Sequence, residues 1–136
     1  MTEIRISVVI PTFRRLESLT RAIDSVMAQE NVCARKTELL VVDNDAERSA
    51  QAVVERYGNA PITIRYASEP EPGVANVRNK AISEVRGRLI AFLDDDQCAP
   101  SNWLAEMLNV YDKHKSAITF GPVETALPHE NQLHER

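Results

Sequence analysis

The feature of this 136-residue sequence that most limits its fold is a set of solid apolar runs, each of strand length and each separated from the next by helical periodicity. Residues 4–10 form a nearly continuous β-branched run ending at Pro11, the pattern of a strand buried on both faces of a sheet. Residues 38–42, ending at Asp43, and the apolar run 89–93 repeat the pattern. Between the first two, Leu16, Leu19, Ile23, Val26 and Met27 recur at helical spacing, with Arg15, Glu17, Arg21 and Asp24 on the opposite side. A second helix is expected over 48–57, with Gly58 placed to end it. Ile62, Ile64 and Tyr66 alternate with polar residues, which predicts a strand near a sheet edge. Val74, Val77, Ala81, Ile82 and Val85 mark a third helix closed by Gly87, and Trp103, Leu104, Met107, Leu108 and Tyr111 mark a fourth. A fifth strand is expected over 117–120, and from Glu124 onward the pattern dissolves.

Strands and helices that alternate with connections too long for hairpins predict an α/β fold: a mainly parallel sheet with helices on both faces. The chain length suits one domain, over 1–123, followed by a polar tail over 124–136. Composition is that of a folded soluble protein, 43% hydrophobic and 26% charged, and a formal net charge of −4 removes the electrostatic case for a nucleic-acid partner. The N-terminal apolar run is too short for a signal peptide or a membrane span, so a cytoplasmic location is expected. Cys33 and Cys98 form no metal-binding or disulfide pattern, and His114, His129 and His134 have no metal spacing.

In an open parallel sheet, ligands bind beyond the carboxyl ends of the strands, where the strand order reverses. That rule brings together Pro11, Thr12 and Phe13 after the first strand, Asp43, Asn44 and Asp45 after the second, and Asp94, Asp95 and Asp96 after the fourth. Residues 73–78, ending in Arg78, should bring helix-start N–H groups and a guanidinium to the same edge. Three adjacent carboxylates repel one another unless a cation, hydrogen-bond donors or solvent offset them. Mg2+ or Mn2+, which takes one or two protein carboxylates and completes its shell with water and phosphate oxygens, fits that need. The competing readings are a solvated acidic turn for 94–96, turn residues at Asp43 and Asp45, a charged helix start for Arg14 and Arg15, and core packing for Trp103. The sequence has no GxGxxG after the first strand and no GxxxxGK[ST] loop, which excludes dinucleotide-fold and P-loop phosphate binding.

Taken together, VVIPTFRR at 8–15, VVDND at 41–45, PGVANVRNKAI at 72–82 and GRLIAFLDDD at 87–96 resemble the successive motifs of family 2 glycosyltransferases, which have the Rossmann-like GT-A fold. The resemblance covers roughly the first 120 residues. It implies a donor domain that binds a nucleoside-diphosphate sugar, UDP-linked by first choice, with Mn2+ or Mg2+, for inverting transfer to an acceptor hydroxyl in polysaccharide biosynthesis. Pro11, Thr12, Phe13, Asp43 and Arg78 then face the nucleotide. Asp94 to Asp96 resemble the DxD motif, with the nucleotide on Asp94 and Asp95 and the metal on Asp96 first and Asp94 second. VVDND stands where the family more often has VVDDGS, so the loop after Asp43 lacks its usual glycine. The resemblance also places the general base beyond Arg136, in an acceptor-binding half begun by the polar tail, and admits work at the cytoplasmic face of the membrane. The acceptor is unknown. Apolar surface left uncovered by such a half would favour self-association. A nucleotide-sugar-binding protein without transfer activity, or a nucleotidyltransferase, is the alternative reading.

Overall fold

The computed structural model describes residues 3–114 and the backbone of two later strands, 118–121 and 131–135. The elements run β1 (Ile6–Thr12), α1 (Leu16–Met27), β2 (Thr37–Asp43), α2 (Gln51–Glu55), β3 (Thr63–Ser68), α3 (Val74–Glu84), β4 (Leu89–Phe92), α4 (Trp103–His114), β5 (Ile118–Gly121) and β6 (Asn131–Glu135). They build one six-stranded sheet in the order β3-β2-β1-β4-β6-β5. The first four strands are parallel to one another, whereas β6 pairs antiparallel with both β4 and β5. This is the mainly parallel α/β sheet that the alternation predicts. β3 is the edge strand expected from its half-polar pattern.

Side-chain alternation divides the core in two. Ile6, Val8 and Ile10 of β1, with Leu39 and Val41 of β2 and Leu89 and Ala91 of β4, pack under Leu19, Ile23, Val26, Val53, Trp103, Leu104 and Met107 from α1, α2 and α4. Val9, Leu40, Val42 and Ile90 face the other way, onto Val77, Ala81 and Val85 at α3 and its end. Helices therefore cover both faces. Each fully buried aliphatic side chain contributes about 1.5–3 kcal/mol relative to exposure, so the doubly covered strands carry most of the apolar stabilisation.

Several local expectations are corrected. β1 continues through Pro11 to Thr12. The Val9 carbonyl accepts from Leu93 N–H on the β4 side, and the β1–β4 ladder ends at Val9↔Phe92. Alternation turns Pro11 toward β4 as well, just past the end of that ladder, where a strand tolerates a residue without an N–H. The second helix is five residues, Gln51–Glu55, rather than the span 48–57. Arg48 has φ 59°, which interrupts helical continuity, and Gly58 lies three residues beyond the helix end. Two residues assigned to the apolar stripe of α3 are exposed, Val74 at 72% and Ile82 at 50%. Gly87 does not close α3, which ends at Glu84 with Val85 extended. Beyond Glu124, residues 131–135 form β6 between β4 and β5, a strand whose NQLHE sequence carries one apolar residue and hence no alternation to read. Among the described residues no helix is long and apolar enough to cross a membrane.

Candidate nucleotide site

The chain proceeds outward from β1 to β2 and β3, then crosses to the opposite side of β1 to place β4. The order reverses between β1 and β4, so their carboxyl ends diverge into a crevice. A cleft of about 420 Å³ opens there, lined by Pro11, Thr12, Phe13 and Arg15 at and just beyond the end of β1, Asn44 after β2, Gly73, Val74, Val77 and Arg78 at the start of α3, and Phe92, Asp94 and Asp95 at the end of β4. Four segments far apart in sequence meet at one edge, as the strand-end rule requires.

Each segment is held by identifiable bonds. Thr12 Oγ1 donates to Asp95 Oδ2 at 2.9 Å, tying β1 to the loop after β4. Burial pushes the Asp95 carboxyl above its ordinary pKa, against the Thr12 hydroxyl, the Arg15 guanidinium and the Phe13 N–H, which favour its charged form. Gln97, fully buried, accepts from the Asp94 N–H through Oε1 at 3.2 Å and returns its own N–H to the Asp94 carbonyl at 3.1 Å. That reciprocal pair closes the acidic turn. Gly73 starts α3 with φ 124° and ψ 145°, a conformation that side-chain-bearing residues avoid. Arg78 lies over the Phe92 ring, 5.0 Å from its centroid, so its guanidinium is held across the cleft wall by a cation–π contact.

Behind the cleft, Asp43 is fully buried. Its Oδ1 accepts from Asp45 N–H at 3.0 Å, and its Oδ2 accepts from Ala50 N–H at 3.0 Å and from the Tyr66 hydroxyl at 2.8 Å. Its carboxylate thus organises the loop that replaces the glycine-containing turn. Asn44, the next residue, reaches the cleft instead. Its Nδ2 donates to the carbonyls of Glu69 at 2.6 Å and Glu71 at 2.9 Å, which fixes the amide orientation because both partners are acceptors. Asp45 pairs with Arg14 at 3.2 Å. The Ser49 hydroxyl, beside it though short of full hydrogen-bond geometry, together with Arg14 and the Glu47 N–H, holds the Asp45 carboxyl down to about 2.

Of the residues singled out in the sequence, Pro11, Thr12, Phe13, Arg78, Asp94 and Asp95 line the cleft. Asp43 stands behind it, and Asp96 lies outside the lining but 3.5 Å from Arg15. Arg15, read from sequence as a charged helix start, lines the cleft and bridges Asp95 at 3.6 Å and Asp96 at 3.5 Å. Asn44 was visible only as a neighbour of Asp43. A strand's last residue and the first residue after it differ in direction, and sequence gives no sign of which one turns into the crevice.

The glycosyl transferase family 2 model matches residues 7–136. The chain is 32% identical over 121 residues to the succinoglycan biosynthesis protein ExoM of Rhizobium meliloti (strain 1021), covering 88% of this chain and 39% of that protein. Among solved structures it is similar to S. aureus TarS 1-349 in complex with UDP-GlcNAc, with a TM-score of 0.72, 24% identity and coverage of 85% of this chain and 33% of that one. It is also similar to the mannosyltransferase PcManGT from Pyrobaculum calidifontis in complex with GDP-Man and Mn2+, with a TM-score of 0.75, 20% identity and coverage of 87% and 35%. The two structures establish the GT-A fold, and the chain spans well under half the length of each of these three proteins. With the family model covering nearly all of its residues, the chain belongs to glycosyl transferase family 2.

Proposed function

We propose that this chain binds a nucleoside-diphosphate sugar in the cleft between β1 and β4 and presents its sugar for inverting transfer to an acceptor hydroxyl. The observation that carries the reading is the convergence of Thr12, Arg15, Asn44, Arg78, Asp94 and Asp95 on one cleft at the point of strand reversal. The base lies against Pro11, Thr12 and Phe13, where Asn44, its two amide hydrogens committed, offers Oδ1 to a base N–H. UDP is the first choice, since TarS is described with UDP-GlcNAc, and GDP is the competitor, since PcManGT is described with GDP-Man. Arg78 supplies positive charge beside the nucleotide. ExoM, a succinoglycan biosynthesis protein, makes a growing polysaccharide the acceptor to test first.

The donor set also fits a divalent ion of the Mg2+ or Mn2+ kind. Among the described residues no three metal-ligating side chains gather into a cage. The acidic turn instead has Asp95 tied to Thr12, with Asp94 in the cleft lining and the Asp96 side chain 34% exposed. An ion that takes one or two carboxylates and fills its shell with diphosphate oxygens matches that arrangement. When bound, it offsets the charge that develops on the departing diphosphate. The described carboxylates lining the cleft, Asp94 and Asp95, are both on the donor side in this reading, so no described residue is assigned as the base that takes the acceptor proton.

Calorimetric titration of UDP, GDP, UDP-GlcNAc and GDP-Man, with Mn2+ and with EDTA, tests the proposal. Micromolar binding that needs Mn2+ and weakens in Asp96→Asn is expected. Equal affinity in EDTA would remove the metal from the reading, and failure of every nucleotide to bind would remove the donor site.

A further inference from the structure

We infer that Arg15 is an exchangeable counter-cation of the acidic turn: it pairs with Asp95 and Asp96 while the cleft is empty, gives way to the divalent ion, and then binds the diphosphate. The inference rests on the donor reading above. Two adjacent arginines enter α1, and the structure treats them differently. Arg14 is held by its φ of 53°, by a hydrogen bond to buried Asp45 at 3.2 Å and by the Phe13 ring 5.1 Å away. Arg15 has a negative φ, and although its side chain is as exposed as that of Arg14, it makes no hydrogen bond of comparable quality: it shares a single Nη1 between Asp95 Oδ1 at 3.6 Å and Asp96 Oδ2 at 3.5 Å. Neither contact meets hydrogen-bond length and direction, and exposed ion pairs of that kind contribute little. Arg15 is therefore the cheaper of the two to displace, since only Arg14 has a hydrogen bond to a buried carboxylate.

Displacement has a direction. A divalent ion on Asp94 or Asp96 competes for the same carboxylate charge that Arg15 offsets, and the two cations repel at that distance. Arg15 already lines the cleft, so a diphosphate bridging to the ion comes within reach of its guanidinium, which binds phosphate oxygens in fork geometry. One side chain then has opposite effects on two ligands. It weakens binding of the ion alone and strengthens binding of the nucleotide once the ion is present. A merely structural residue would not divide its effects in this way.

The test measures Mn2+ binding without nucleotide, by electron paramagnetic resonance of the free ion, and UDP and GDP binding at saturating Mn2+, by calorimetry. Arg15→Gln is expected to bind Mn2+ about 3–10-fold more tightly and nucleoside diphosphate about 10-fold more weakly than the parent, with a shallower salt dependence. Arg15→Lys should restore the weaker Mn2+ binding and only part of the nucleotide affinity, because it keeps the charge and loses the fork. Arg14→Gln should leave Mn2+ binding unchanged. If the parent binds Mn2+ and nucleotide but Arg15→Gln binds Mn2+ no more tightly, this inference is overturned and the donor reading stands. If the parent binds neither, both fall.

Discussion

Asp43 and Asn44 show how much one residue of offset matters. Sequence marks Asp43 as the acidic end of β2, yet its carboxylate carries three bonds from its own chain, to Asp45 N–H, Ala50 N–H and the Tyr66 hydroxyl. Asp43→Ala leaves these buried donors unpaired, a loss of roughly 2–4 kcal/mol that urea denaturation should report. Tyr66→Phe removes one of the three and should cost about 1 kcal/mol. If Asp43 acts by holding the loop, Tyr66→Phe should also weaken nucleotide binding slightly, whereas direct contact with the base would leave that variant's affinity untouched. Asp45 gives the loop a pH signature. Its folded pKa of about 2 lies below the ordinary 3.8, so its contribution is present above pH 4 and disappears as pH falls toward 2. Limited proteolysis at the 44–50 loop should accelerate across that window in the parent and lose the transition in Asp45→Asn, which has no charge to titrate. Arg15 was legible as a cation beside the strand end and illegible as a cleft residue, because its partners Asp95 and Asp96 lie about eighty positions away.

The strands and helices were legible where burial imposes a period. The β-branched runs of β1, β2 and β4 and the stripe of α1 emerge at nearly the expected bounds because two-sided burial and helical packing write directly into composition. The short α2 and the strand β6 did not, since a positive φ at Arg48 and a strand of polar residues leave no hydrophobic signal. Glycine roles were the least legible. Gly87 reads as a helix terminator, but the structure uses it for close approach: a Cβ there would lie 2.7 Å from Ser7 N and Oγ and 2.8 Å from the Ile6 carbonyl carbon. Gly87→Ala should therefore push the start of β4 away from β1 and cost about 1–3 kcal/mol, the range for overpacking. At Gly73 the space is open and the conformation is the constraint, with φ 124° and the nearest atom 3.7 Å from a built Cβ. Gly73→Ala should cost about 1–3 kcal/mol through backbone strain and, because α3 starts in the cleft wall, weaken nucleotide binding as well. Equal binding with reduced stability would separate α3 from the ligand.

Carboxylates stand at both ends of the sheet, in two different settings. At the carboxyl ends, the acidic turn keeps carboxylates beside a cleft. At the amino ends, Glu38 is buried and fully bonded: it accepts from the Ser7 hydroxyl at 2.5 Å, from Arg65 Nε at 2.9 Å and from the Arg86 N–H at 2.8 Å. The Ser7 hydroxyl in turn accepts from the Gly87 N–H at 2.9 Å, and Arg65 reaches the Glu84 carbonyl at 2.5 Å. One carboxylate thus joins β1, β2, β3 and the segment between α3 and β4. Burial pushes the Glu38 carboxyl upward, but Arg65, Ser7 and Arg86 outweigh it and leave the group below its ordinary range. In the parent, this stability is therefore present above about pH 4.5 and is lost as pH falls through the lowered folded value. Arg65→Leu removes the guanidinium, the strongest of the groups that favour the charged form, and leaves the Ser7 hydroxyl and Arg86 N–H against burial, so the carboxyl should move upward. At pH 7 the variant should lose roughly 2–4 kcal/mol, less than for a fully buried pair because Arg65 keeps 22% of its side chain exposed. Toward pH 4 the gap should close, as Glu38 becomes neutral in the variant while the parent begins to lose its ion pair. Ser7 and Thr12 lie five residues apart on one strand, or about 16 Å at the rise of an extended chain. Nucleotide affinity of the folded variant should consequently match the parent. Denaturant titrations from pH 4 to 8, paired with calorimetry at pH 7, check both parts. A stability gap constant across that range would show that Glu38 keeps its charge without Arg65, and a fall in nucleotide affinity would show that the two ends are coupled through the sheet.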